Sequence, residues 1–252
     1  MRVIAVGNLK GGTGKTTTAL HLAVELAENS RVLLIDTDPQ GTASIWLTGA
    51  QHTGLKSLLT DEEIDYDKTV SPTYLTTLDL IGGGEESEQA WKRLSNIDGG
   101  FYDFEHLVKP LAAERNYEYV VIDMLPSRGI VPMSVLPLAD YMLMPTTLEG
   151  PSVTGLAQGL KYYTNTAERL RSPVTVLGVI MNRVDERYKE TEHWREALQG
   201  KIGELLLQER IRTDAALSQS FSSYQPVQKY KPDSKAAYDF KRLTSKIQEL
   251  IS

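Results

Sequence analysis

Short apolar runs recur along the chain, each closed by polar or turn-forming residues. Residues 3–6, 31–35, 78–81, 119–123, 141–145 and 174–181 are near-continuous apolar runs of strand length. A strand that alternates has one wet face, whereas an unbroken apolar run is buried on both, as in a parallel sheet. Between the runs lie stretches with apolar residues at helical spacing: 19–27, 54–59, 101–115, a long one within 150–170, 191–199, 215–221 and 234–251. Residues 85–100 read as a helix and a turn anchored by Trp91 and Leu94. This alternation predicts an α/β fold, a mostly parallel twisted sheet with helices on both faces. Gly82-Gly83-Gly84 reads as a loop inside the domain, because no change of composition follows it. There is no internal repeat, and one domain is expected over residues 1–252.

Between the first strand and the first helix stands Lys10-Gly11-Gly12-Thr13-Gly14-Lys15-Thr16-Thr17. Strand, glycine-rich turn and helix start is the setting a phosphate-binding loop needs. Glycines let several backbone N–H groups converge on one anion, and the helix N-terminus adds its positive end. Lys15 supplies a charge for the outer phosphates, and the Thr16 hydroxyl is placed to ligate Mg²⁺. The commonest form of the loop has glycine five residues before the Gly-Lys pair. Here that position is Leu9, and a second lysine, Lys10, follows it.

Three acidic residues close apolar runs, at the strand ends where parallel sheets bind ligands. Asp36 and Asp38 follow residues 32–35; two carboxylates there can hold a magnesium-bound water or orient an attacking one, or can simply form a turn. Asp123 ends the run 119–123, where a carboxylate reaches Mg²⁺ directly or through water. Asn182, after residues 179–181, either hydrogen-bonds a nucleobase or forms a turn.

Composition narrows the chemistry. The 252 residues are 41% hydrophobic and 24% charged, an ordinary globular balance, with no cysteine. Disulfides, thiolate-bound zinc and cysteine-ligated iron–sulfur clusters are therefore excluded. The four histidines (His21, His52, His106, His193) show no metal-ligand spacing, which assigns them packing or surface roles. No apolar run approaches the ~20 residues of a membrane span, and no signal peptide precedes the first strand. A cytoplasmic protein is expected. Net charge is −6, but the segment from residue 210 onward holds eight Lys/Arg against four acids, so a basic C-terminal face sits on an acidic body. Such a face suits sequence-independent phosphate contacts, though lysine-rich solvated helices are common.

The loop, with both lysines, resembles the deviant Walker A motif of the ParA/MinD family of ATPases. The resemblance extends to Asp36-Thr37-Asp38-Pro39-Gln40-Gly41, to Pro145 through Glu149 with Gly155-Leu156, and to Gln225-Pro226-Val227 onward. It implies a P-loop fold that binds ATP and Mg²⁺ through Gly11, Gly12, Thr13, Gly14, Lys15, Thr16 and Thr17, with Asn182 at the adenine. It further implies metal contacts from Thr16, Asp36 and Asp123, a hydrolytic water positioned by Asp38, and catalysis by Lys10, Lys15 and Asp38. Lys10 would reach across an ATP-sandwich homodimer. By the same resemblance the dimer would bind double-stranded DNA non-specifically, through Arg187, Arg210, Arg212 and Lys235, and so associate with the nucleoid. It would position a plasmid, a chromosome origin or other cargo under a ParB-like adaptor that stimulates hydrolysis. The family usually has two prolines after the Asp123 position; here Met124-Leu125-Pro126 replaces the first with leucine. Alternatives on the same fold are a MinD-like membrane-surface ATPase and an amidoligase-type enzyme. With no segment before the first strand, a helix-turn-helix and repression of its own operon are not expected.

Overall fold

The six apolar runs, joined by two strands that the pattern does not mark, assemble into one eight-stranded sheet in the computed structural model, which describes residues 1–61 and 63–252. The strands are β1 (Arg2–Val6), β2 (Val32–Asp36), β3 (Ser71–Pro72), β4 (Leu78–Ile81), β5 (Tyr119–Asp123), β6 (Tyr141–Thr147), β7 (Thr175–Val184) and β8 (Leu206–Arg212). Their order is β3-β4-β2-β5-β1-β6-β7-β8, parallel throughout except for the β3–β4 pair. Successive strand residues face opposite sides, so the sheet feeds two cores. Val3 and Ala5 join Leu33, Ile35, Val120 and Ile122 on one face. Ile4 and Val6 join Leu34, Val121 and Leu143 on the other. The register places Val6 and Asp36 both opposite Asp123, so β1, β2 and β5 finish in one row at the carboxyl edge.

Several elements lie outside the sequence expectations. The first helix begins at Lys15, not at residue 19, because Gly14 is itself its N-cap. β7 runs on to Val184, so Asn182 sits inside a strand rather than after one. β8 is an edge strand carrying Gln208, Glu209 and Arg210, which hide its apolar signal. The helix Ile130–Leu138 has no polar face because it is buried almost all round, and two prolines interrupt its pattern. The helix Thr42–Thr48 is a short element directly after the Asp36–Gly41 turn.

The final helix, Lys235–Leu250, turns Ala236, Phe240, Leu243 and Ile247 into the second core against the first helix. His21 lies at that junction. It is fully buried, stacks on Phe240 at 4.6 Å and meets Trp46 edge-on at 5.0 Å. The Val227 amide donates to Nε2 at 3.1 Å, so Nδ1 carries the proton and donates to the Thr17 carbonyl at 2.7 Å. Burial pushes its pKa down from 6.5 to about 4. The unfolded chain therefore takes up this proton first as pH falls. The neutral histidine costs nothing above pH 6.5 and removes about 3 kcal/mol of stability by pH 4. Asp36, raised to about 6 by burial, has the opposite slope in the same range. The test is a difference: denaturant unfolding from pH 7 to 4.5 should show a flatter acid limb in His21→Gln than in the wild type. Parallel limbs would remove His21 as the acid-sensitive group.

Candidate functional site

The loop after β1 reaches the helix through two left-handed glycines, Gly12 (φ 73°) and Gly14 (φ 88°). No side chain caps the helix that follows, and its first turn holds no acidic residue. The N–H groups of that turn are thus left for an anion. Lys15 is 7% exposed, and its Nζ donates to the Lys10 carbonyl at 3.0 Å. Burial lowers its pKa, while Asp123 and Asp38 pull it back up. The ammonium thus stands among carboxylates beside the open helix end.

Asn182 braces this loop from β7. Its Nδ2 donates to the Thr13 carbonyl at 3.0 Å and to Thr18 Oγ1 at 3.1 Å. A Cβ on Gly14 would come within 2.4 Å of that nitrogen, so the position admits only glycine. The donor side of the amide is engaged with the loop, and Asn182 Oδ1 is buried without a partner. Lys10 lies along its own chain: its Nζ donates to Ser152 Oγ at 2.6 Å, and that hydroxyl meets Thr147 Oγ1 at 2.6 Å.

The three aspartates converge at the row of strand ends, in unlike states. Asp36 is fully buried and accepts from the Ser44 amide at 3.0 Å, the Ser44 hydroxyl at 2.8 Å and the Asp38 amide at 3.1 Å. Its carboxylate shapes the 36–44 turn. Asp38 is only partly buried and accepts from the Gln40 amide at 2.9 Å. Asp123 is 1% exposed; neither carboxylate oxygen has a hydrogen-bond partner within 3.5 Å, and Thr16 is the side-chain donor close enough to stabilise its charge. Burial first, then Asp36, drives its pKa well above the usual range, with Thr16 and Lys15 as the groups that oppose this. A buried carboxylate without partners is costly unless it holds a proton or a cation. Among the described residues no group of three or more His, Cys, Asp or Glu forms a metal site. Mg²⁺ takes one or two protein oxygens and completes its shell with waters and phosphates.

Thr37, between the two acids of the turn, gave no separate signal in sequence. Its amide and hydroxyl donate to the Asp123 carbonyl at 3.1 and 2.7 Å, and Oγ1 accepts from the Leu125 amide at 3.1 Å. It ties the turn after β2 to the segment after β5. The triple glycine packs beneath the same turn, where a Cβ on Gly83 would lie 2.4 Å from the Asp38 carbonyl. Gly83 also donates to Ser44 Oγ at 3.0 Å. The glycine run is a close-packing requirement of the site and not a linker. Ser44 and Ser152 carry no separate signal in sequence either.

Beside the loop opens a cleft of about 510 Å³, bounded by Gly14, Thr17, Trp46, Asn182, Thr213 and Phe221. Its volume is that of an ordinary small-molecule site.

The four basic candidates gather at the far end of the sheet, but carboxylates sit among them. Arg187 pairs with Asp185, Arg210 with Glu186, and Arg212 with Asp239. Lys235 is exposed, near Asp185 and Glu186. Arg212 is held by an aspartate that is 6% exposed, so it acts in the fold. These four candidates thus form a mixed ion-pair cluster, because charge counting does not see pairing across strands.

Residues 1–176 match the protein family described as AAA domain. The chain is 30% identical, over 244 residues, to the chromosome partitioning protein ParA of Myxococcus xanthus, covering 95% of this chain and 85% of the relative. Its fold matches a McdA variant of Cyanothece in complex with ATP, with a TM-score of 0.82 at 22% identity over 100% of this chain and 96% of that one. It also matches the septum site-determining protein MinD of Pyrococcus horikoshii, complexed with Mg-ADP, with a TM-score of 0.77 at 22% identity over 100% and 97%.

Proposed function

The chain belongs to the ParA/MinD family of P-loop ATPases, and on that premise we propose that it is a slow ATPase whose ATP-bound dimer binds DNA and positions a cargo. The observation that carries the nucleotide part is Asp123, a buried carboxylate with no partner, beside Lys15 and the open helix start. ATP would place its phosphates on the N–H groups of residues 11–17, with Thr16 and Asp123 at Mg²⁺. The bound metal would neutralise charge on the outer phosphates and on Asp123 together. Asp36 shapes the turn that presents Asp38, and Asp38, less engaged and more exposed, is the group able to orient a water. Thr37 makes that turn and the segment after Asp123 move together, a route by which an adaptor protein would stimulate hydrolysis. Lys15 acts on the phosphates of its own subunit. Lys10 would leave Ser152 and turn to a partner's phosphates.

For DNA, the mixed cluster supports a modest reading. Exposed ion pairs contribute little, so Arg187 and Arg210 exchange a carboxylate for a phosphate at small cost, with Lys235 alongside and Arg212 fixed. Dimerisation doubles the phosphate contacts and makes binding depend on ATP. The apolar face of the last helix is buried in the core, which disfavours its use as a membrane anchor. The test is binding to a non-specific duplex with ATP, ADP or no nucleotide across a salt series. ATP-dependent binding that weakens steeply with salt is expected, with Lys235→Glu and Arg187→Glu weaker still. No binding in any state, with ATP-driven dimers intact, would remove DNA as the track.

A further inference from the structure

Among the described residues, four other than glycine have positive φ: Asn116, Arg171, Arg183 and Tyr224. Asn116 and Tyr224 follow the C-caps of the helices Asp103–Glu114 and Ala215–Ser222, and Arg171 is the C-cap of Gly150–Leu170. A left-handed residue is routine where a helix stops. Arg183 has no such reason. Its φ is 53°, and it lies inside β7.

The pairing explains how the strand holds it. Met181 pairs with Arg210 and Val184 with Arg212, so β7 takes one residue more than β8 between those pairs. This is a bulge, the device that re-aims a side chain beside a site. On a regular strand, Asn182 and its successor would face opposite sides. Here both Asn182 and Arg183 line the cleft beside the phosphate loop. Arg183 is exposed, and its guanidinium has no hydrogen bond or ion pair among the described residues. The other charged groups of the cleft are engaged: Arg212 with Asp239, and both oxygens of Asp214 with the Ala216 and Ala236 amides at 2.9 and 3.1 Å. A strained backbone that delivers one unpaired cation into a cleft is the pattern of a conformation kept for function.

We propose that Arg183 is a nucleotide-affinity residue, its planar guanidinium lying on the face of the nucleobase that occupies this cleft. Phosphates on the loop would direct the base into this cleft, because Gly14 and Thr17 of the loop line it together with Arg183 and Phe221. Guanidinium stacking on a π face needs no acceptor, so it adds affinity while Asn182 is engaged with the loop. This inference rests on the assignment of the loop as the phosphate site.

Arg183→Gly separates function from folding, because glycine relieves the left-handed backbone. Binding of Mg-ATP and of Mg-tripolyphosphate to wild type and variant would be measured by calorimetry, with the melting temperature of each nucleotide-free protein. Arg183→Gly is expected to bind ATP about tenfold more weakly, to bind tripolyphosphate within about twofold of the wild type, and to melt no lower. Unchanged ATP affinity would overturn the proposal. So would an equal loss for both ligands, which would make Arg183 a phosphate contact, or a lower melting temperature accounting for the loss. Failure of the wild type to bind tripolyphosphate would instead strike the phosphate-site assignment itself.

Discussion

Asp123→Asn is expected to raise the melting temperature of the nucleotide-free protein by a few degrees and to cut Mg-dependent ATP hydrolysis by about a thousandfold or more. The two effects have one cause. Asp123 is buried with both oxygens unpartnered, and burial and Asp36 raise its pKa. Because the folded-state pKa is raised, the folded protein binds this proton more tightly than the unfolded chain. The stability this contributes is present below the unfolded carboxylate range and is lost as pH rises through the folded value. At neutral pH without a cation, the group therefore opposes folding. Asparagine removes that charge at similar volume and leaves no anion for Mg²⁺. Thermal melts with and without Mg-ATP check both signs: the variant should start higher and gain less from Mg-ATP. A variant that melts lower and still hydrolyses ATP would contradict the assignment.

Lys10→Ala is expected to bind ATP within a few-fold of the wild type, to lose about a hundredfold or more in hydrolysis, and to form no dimer on ATP. Lys15, whose charge faces Asp123 and Asp38 on its own chain, keeps the intrasubunit phosphate site. Lys10 contributes to it only through its backbone carbonyl, which the alanine variant retains. Ser152 keeps Thr147 as a hydroxyl partner, so folding is little affected. Single-turnover hydrolysis and direct ATP binding separate the two lysines. If Lys10→Ala lost ATP binding as Lys15→Ala should, Lys10 would belong to the binding site of its own subunit.

The sheet was legible because its strands are buried on both faces and so print unbroken apolar runs. The loop was legible because glycine and lysine at fixed offsets have few other reasons to occur together. Helix Ile130–Leu138 escaped because full burial erases the helical period, and β8 because an edge strand carries polar residues. Within the site, the acids at the strand ends could be read from sequence, but not their states. Asp36 looks like Asp38 in sequence, and only the fold shows that Ser44 engages one of them. Thr37 is one hydroxyl between two acids, yet it links the ends of β2 and β5. The ion pairing of the arginines was hidden for the same reason: Arg212 and Asp239 lie far apart in the chain, and their pairing exists only after folding. Arg183 left no trace in sequence, since a bulge is a property of two strands.

The measurement closest to the central claim is the molar mass by light scattering with Mg-ATP and with Mg-ADP, using Asp38→Asn to slow turnover. Twice the chain mass with ATP and a single chain with ADP is expected, with the ATP dimer abolished when Lys10→Ala is added. A single-chain mass at saturating ATP, with ATP demonstrably bound, would contradict the sandwich dimer and every step that depends on it.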